Sequence, residues 1–194
     1  EVHLIGIHTS APVTENASPE EMSTAVRKRV DELLRLGKFV VTVGGEHSVS
    51  IGAVQAYARH WTDLTVLQID AHTDLRDAYE GSRYNHACVM ARVKEILPYY
   101  QVGIRSMDVT EKDNLDPGRV LFADELRRRD DWIDHVLSHM SPNVYVTIDL
   151  DGLDPSIMPS TGTPEPGGLL WYQVLDLLRE LSARANIVGF DVVE

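Results

Sequence analysis

The chain has 194 residues, enough for one domain with a sizeable core, and its 43% hydrophobic and 25% charged residues are those of an ordinary globular protein. A formal net charge of -12 argues against nucleic acid or an anionic membrane as partner, and no apolar run approaches the roughly 18 residues of a spanning helix. Cys88 is the only cysteine, so no internal disulfide can form and a reducing compartment, the cytoplasm, is expected.

Strands and helices alternate along the chain. Residues 2 to 7 read as a strand. Ser18-Pro19-Glu20-Glu21 is a capping box with proline at the first helical position, and the helix it opens runs to Gly37. Residues 39 to 43 form a strand, followed by Gly44-Gly45-Glu46-His47-Ser48 and a helix to about His60. Residues 64 to 69 are the next strand, and 71 to 85 a long polar loop. A helix over 86 to 96 and a strand over 100 to 104 follow. Residues 120 to 122 are a short strand and 124 to 137 a helix. A strand over 144 to 148 leads into a second long loop, 149 to 168, rich in proline and glycine. A helix over 169 to 181 and a strand over 187 to 193 complete the chain.

This alternation predicts an α/β fold with a parallel sheet covered on both faces. In such sheets ligands bind beyond the carboxyl ends of the strands. Two acidic clusters fall there, Asp70-Ala71-His72-Thr73-Asp74 and Asp149-Leu150-Asp151-Gly152-Leu153-Asp154-Pro155. Both open the long loops, and loops of that length are usually functional. In extended chain, residues i, i+2 and i+4 share a face, so Asp70, His72 and Asp74 converge, as do Asp149 and Asp151. Four carboxylates and an imidazole cannot gather at strand ends without a cation.

Each further candidate has a plainer reading beside the functional one. His47, after a Gly-Gly turn, is a turn residue or a metal ligand, and the two acidic clusters favour the ligand. Glu46 either orients a ligand from behind or is an acid matching a helix N-terminus. Asp74 is a ligand or a loop cap, and Asp154 before Pro155 is a turn former. His86 is an exposed cap or a proton shuttle. His3, His8, His60, His135 and His139 have no motif around them, and Cys88 is a packing residue.

Four aspartates and two histidines without a thiolate suit manganese or magnesium better than a structural zinc. Six ligands are too many for one open site and fit two ions bridged by carboxylates, whose chemistry is hydrolysis.

These three motifs, in this order and spacing, resemble the signatures of the ureohydrolases, the arginase and agmatinase family. Gly103-Ile104-Arg105-Ser106, Thr161-Gly162-Thr163-Pro164 with Gly167-Gly168, and Gly189-Phe190-Asp191-Val192-Val193-Glu194 are similar to family segments too. The resemblance covers the chain from about Glu20 onward. It implies a three-layer α/β/α fold with a central, mostly parallel sheet and a pair of Mn²⁺ ions. His47, Asp70, Asp74 and Asp149 match the ligands of one ion, and Asp70, His72, Asp149 and Asp151 those of the other. The implied reaction is attack of a hydroxide on a guanidinium carbon, giving urea and an amine. Asp74 matches the residue that relays a proton to the leaving amine and His86 the shuttle histidine. Glu194 matches the carboxylate that pairs with the guanidinium, and Thr163 lies where the family lines its substrate pocket.

Residues 75 to 87, Asn85 among them as a substrate-binding candidate, look like the agmatinase version of the specificity loop. The implied substrate is a small cationic guanidino compound, agmatine, hydrolysed to putrescine and urea. Guanidinobutyrate or arginine is the alternative, because Arg76 or Arg83 could bind a carboxylate. The family also implies a homotrimer or homohexamer. Its members continue beyond both ends, so residues 1 to 194 are expected to be one ureohydrolase domain incomplete at each. A deacetylase-like single-zinc hydrolase of the same fold would need a tandem His-His, which is absent, and a binuclear phosphoesterase an Asn-His segment in another context. A non-catalytic relative would be expected to lose ligands, whereas all six are present.

Overall fold

The stretches rich in β-branched and aromatic residues become strands: β1 (Val40–Val43), β2 (Leu64–Ile69), β3 (Tyr99–Ile104), β4 (Val120–Phe122), β5 (Asn143–Asp149) and β6 (Asn186–Val193). The computed structural model describes residues 2–194, with side chains from Leu4 onward, and joins these six into one sheet of order β1-β6-β5-β2-β3-β4. Every pairing is parallel. The central strands β2 and β3 are buried throughout, the signature of a parallel sheet covered on both faces.

Two apolar cores lie on opposite sides of the sheet and make three layers. One packs Leu64, Val66, Tyr99 and Tyr145 of the strands against α1 (Pro19–Arg35), α2 (Val49–Tyr57) and α3 (Val89–Lys94). The other packs Leu67, Ile69, Val102 and Val146 against α4 (Ala123–Leu126), α5 (Trp132–Leu137) and α6 (Trp171–Arg184). The Ser18 hydroxyl caps α1 by accepting from the Glu21 N–H at 3.1 Å, as the capping box requires. Helices α1 and α2 cross where α2 carries Gly52. A Cβ there would clash with the Ser23 carbonyl and lie 3.0 Å from the Arg27 nitrogen. Gly52→Ala is therefore expected to cost about 1–3 kcal/mol through overpacking, outweighing the roughly 1 kcal/mol that alanine gains in helix propensity. A urea titration measures this, and an unchanged midpoint would refute the close crossing.

Three elements differ from the sequence expectation. Residues 2 to 7 are not a strand: Val2–Ile5 is a 3-10 turn, and Leu4, Ile5 and Ile7 are exposed, with no strand among the described residues pairing with them. The helix expected over 124 to 137 is split into α4 and α5. Between Leu126 and Trp132 no apolar residue sits at core spacing, and Arg129 folds onto Asp131 through two 3.0 Å bonds instead. The segment after Asn85 opens as a 3-10 turn, His86–Cys88, before α3 begins.

The long loop over 71 to 85 is held by side chains. The buried Glu111 carboxylate accepts from the Leu75 N–H at 2.8 Å and the Asp108 N–H at 2.6 Å. Asn114 donates to the Leu75 carbonyl at 3.0 Å, and Arg92 reaches Asp77 at 2.8 Å.

Candidate metal centre

Strands β2 and β5 are neighbours with Ile69 opposite Ile148, so their acidic extensions emerge side by side at the carboxyl edge of the sheet. His47 arrives from the turn after β1. Past the end of β2 at Ile69 the chain keeps pairing with the extension of β3 through the parallel bridge between His72 and Ser106, and it leaves the extended conformation at Asp74. Asp74 sits at φ 52°, a left-handed conformation that aspartate tolerates better than most residues. That turn lets its carbonyl accept from the Met90 and Ala91 N–H groups at the start of α3, at 3.0 and 3.1 Å, while its carboxylate faces His47. Asp149 ends β5, and Asp151 lies in the 3-10 turn Leu150–Gly152. The close approach requires glycine at 152: a Cβ there would stand 2.9 Å from the Asp70 nitrogen and 3.1 Å from its Cα.

His47 Nδ1 lies 3.1 Å from Asp70, 2.9 Å from Asp74 and 3.4 Å from Asp149. His72 Nδ1 lies 2.9 Å from Asp151 and 3.7 Å from Asp70. Asp70 belongs to both groups, and Asp149, Asp151 and Glu194 form a third set of mutually close donors. Burial raises the Asp149 carboxyl to about 9, assisted by the negative charge of Asp70, and the same two causes raise Asp74 to about 7. Burial would also raise Asp70, but the imidazoles of His47 and His72 close beside it outweigh burial and hold this carboxyl below its ordinary value. Burial works against charge on His72, yet Asp151 and Asp70 beside it lift it to about 11, and the nearby carboxylates of Asp70 and Asp74 raise His47 well above its ordinary value against the same burial.

This donor set fits a pair of divalent cations. The His47 Nδ1 atom is buried without a hydrogen-bond partner, although three carboxylates surround it. A buried ring nitrogen aimed into a nest of oxygens is what a cation would satisfy. His47, Asp70 and Asp74 could hold one ion and Asp70, His72 and Asp151 the other, with Asp149 close to His47 and to Asp151.

A cavity of about 600 Å³ opens above these groups, with His86, Thr163 and Glu194 on its walls. The Glu194 carboxylate accepts from the Gly162 N–H at 2.5 Å, and the Thr163 hydroxyl lies 3.4 Å from Asp151. His86 meets the Tyr79 ring edge-on at 5.8 Å, and its Nδ1 is 3.5 Å from Glu46. The Glu46 carboxylate accepts from the Ser48 N–H at 3.2 Å and from its hydroxyl, so this acid braces the turn as well as facing His86. Asn85 does not line the cavity. Its side chain accepts from the Ala87 N–H and caps the turn that carries His86. Asp154 is the expected turn former: hydrogen bonds from Ser156, Gly167 and Gly168 hold its carboxyl at about 2. His60 pairs with Asp31, and His135 and His139 cluster on Tyr100, all away from the cavity. His8 is exposed and Cys88 buried, while the side chain of His3 lies outside the described residues.

Sequence reading missed the residues beneath the ligands. Gln68 donates to Asp70 at 2.6 Å and receives Gln101 at 2.5 Å. Thr147 contacts His47 Nε2 at 2.8 Å, and the Arg105 guanidinium ties together the carbonyls of Asp151, Leu153 and Glu165 at 2.6, 3.3 and 2.8 Å. Gln68, Gln101 and Thr147 are polar residues within otherwise apolar strands, and Arg105 belongs to the Gly103-Ile104-Arg105-Ser106 segment at the end of β3.

The chain is 41% identical to an N(1)-aminopropylagmatine ureohydrolase of Synechocystis, covering 99% of this chain and 66% of that protein. It is 42% identical to the protein of that name from Thermus thermophilus, covering 98% and 66%. The crystal structure of the agmatine ureohydrolase of Thermoplasma volcanium superposes with a TM-score of 0.81 at 36% identity, over 94% of this chain and 62% of that one. The chain thus spans about two thirds of the length of the relatives it matches. With the arginase family model matching residues 2–194 over a parallel sheet whose carboxyl edge carries the paired aspartates, the chain belongs to the arginase family.

Proposed function

We propose that this chain is the catalytic domain of a binuclear manganese hydrolase that releases urea from a linear guanidino amine. The substrate is agmatine, giving putrescine, or agmatine lengthened by an aminopropyl arm. The charge of the cavity is the main support. Beyond the ligand aspartates, Glu46, Asp108, Glu111 and Glu194 line it. Its one lining arginine, Arg76, is committed to Asp108 at 3.2 Å and to the Tyr79 ring at 4.5 Å. Arg83 lies outside, bound to Asp77 and Glu95 at 2.9 and 2.7 Å. Among the described residues that line the cavity, no lysine or arginine is uncommitted for a substrate α-carboxylate, whereas a terminal ammonium would meet walls of net negative charge. The names of the two relatives favour the longer amine as the second reading.

When bound, the two ions would supply a hydrolytic nucleophile at neutral pH and positive charge where the transition state becomes negative. The Glu194 carboxylate, aimed by the Gly162 N–H, suits the planar two-pronged donor of a guanidinium. Asp74 would pass a proton to the leaving amine. His86, exposed beside Tyr79, would exchange that proton with solvent. Thr163 would border the substrate. The proposal extends to a cytoplasmic homotrimer or homohexamer, which light scattering measures. Among the described residues no helix is long and apolar enough to cross a membrane.

The test is urea release by the Mn²⁺-loaded protein from agmatine, aminopropylagmatine, arginine and guanidinobutyrate in parallel. Turnover of one or both of the first two, and neither of the others, is expected. Preference for arginine or guanidinobutyrate would overturn the substrate class, and no urea from any of the four with two ions bound would overturn the hydrolase.

A further inference from the structure

Five strands contribute one polar row directly beneath the candidate metal centre. Thr42 is in register with Asp191, Asp191 with Thr147, Thr147 with Gln68, and Gln68 with Gln101. Asp191, Thr147, Gln68 and Gln101 are all fully buried. Strands in the middle of a parallel sheet are normally continuous apolar runs, and polar groups there cost stability unless they are bonded.

We propose that Thr147 and Asp191 are positioning residues that hold His47 with its Nδ1 lone pair facing the metal pair. The inference rests on the binuclear reading of the site. Asp191 takes two hydroxyl protons, from Tyr145 at 2.7 Å and from Thr147 at 2.6 Å. Thr147 has one proton to give, and a carboxylate is its strongest acceptor. Its other potential partner, Ser50, is farther away at 3.4 Å. With that proton committed, Thr147 Oγ1 meets His47 Nε2 at 2.8 Å as an acceptor. A ring that ligates a cation keeps one proton, which this geometry places on Nε2, and Nδ1 would then be the ligating atom among Asp70, Asp74 and Asp149. A histidine ligand commonly owes its tautomer and aim to a carboxylate or carbonyl behind it. Here a threonine stands between ring and carboxylate, which lets a residue of β6 steer a ligand carried by the turn after β1.

The experiment is titration of Mn²⁺ into the metal-free parent protein and the variants Thr147→Val, Thr147→Ser and Asp191→Asn, read by calorimetry and electron paramagnetic resonance. The parent is expected to bind two ions. Thr147→Val and Asp191→Asn are expected to weaken one ion by about 10- to 100-fold and leave the other at parental affinity, the usual cost of losing such a supporting partner. Thr147→Ser, which keeps the hydroxyl, is expected to restore both. Parental affinity at both positions in Thr147→Val, or equal weakening of both with a lowered melting temperature, would overturn the proposal. If one variant fails to fold, the other carries the same test. A parent that takes up fewer than two ions overturns the binuclear reading and this inference together, whereas a parent with two ions and variants matching it overturns the inference alone.

Discussion

Asp149→Asn is expected to abolish paired metal binding and, in the same molecule, to make the metal-free protein more stable. Asp149 lies within reach of His47 and in the donor set with Asp151 and Glu194, so its loss would remove a carboxylate that both ions would need. Urea release should fall on the order of 10³-fold, the upper end of what deleting one preorganised electrostatic contact costs. Without metal the sign reverses. Burial and the Asp70 charge drive this carboxyl to about 9, so folding at neutral pH must keep a proton that the unfolded chain would release. Asparagine needs no such proton, and the gain should be on the order of 1 kcal/mol or more, each pKa unit being worth about that much. Calorimetric scans in chelator and in Mn²⁺ check both halves. A metal-free variant less stable than its parent would refute the electrostatic account of the cluster.

The second large effect is a divergence of stability with pH between metal-free and metal-loaded protein. A group held above its ordinary value contributes stability that is complete below that value and is lost as pH climbs through the folded one. Asp74 therefore loses its contribution between 3.8 and about 7, Asp149 between 3.8 and about 9, and His72 between 6.5 and about 11. Asp70, held below its ordinary value, acts only in acid, where its contribution disappears as pH falls below 3.8. In chelator, stability should fall steadily from pH 5 to pH 9. Metal binding displaces these protons and strengthens as pH rises, so the Mn²⁺ curve should hold or rise over the same interval. At 1,000-fold excess over the dissociation constant the ion adds about 4 kcal/mol, a shift of roughly 10 °C for a domain of this size. Parallel melting curves that keep a constant gap would rule this out.

The residues of the candidate metal centre were legible in the sequence because they are polar residues clustered where apolar strands end. His47, Asp70, His72, Asp74, Asp149 and Asp151 announce themselves by type and spacing, and the sheet then brings them together. Their support was not legible. Gln68, Gln101, Thr147 and Asp191 each occupy one place in an otherwise apolar strand, and single polar residues in strands are common. Only the register, with Thr147 beside both Gln68 and Asp191, shows that they form one row. Asn85 failed for the opposite reason. Its place beside His86 suggested the cavity, while its side chain serves the local backbone. The exposed segment at residues 4 to 7 has strand-like composition without a neighbour, and composition alone cannot supply the partner of a ladder.

The wide separation of the ligands along the chain has a kinetic consequence. His47 and Thr147 touch across 100 residues, and Ala71 binds Asp151 across 80. Central strands β2 and β5 must find each other over a similar stretch before any two halves of the site meet. Such non-local pairing is slow, because the loop must close before its contacts give anything back. A cation can engage the complete donor set only after this pairing is made, past the rate-limiting barrier. Its free energy should thus appear almost wholly as slower unfolding, with the folding rate nearly unchanged. A bound cation would act on this protein as a latch on a finished sheet, lengthening the life of the native state without guiding the chain toward it.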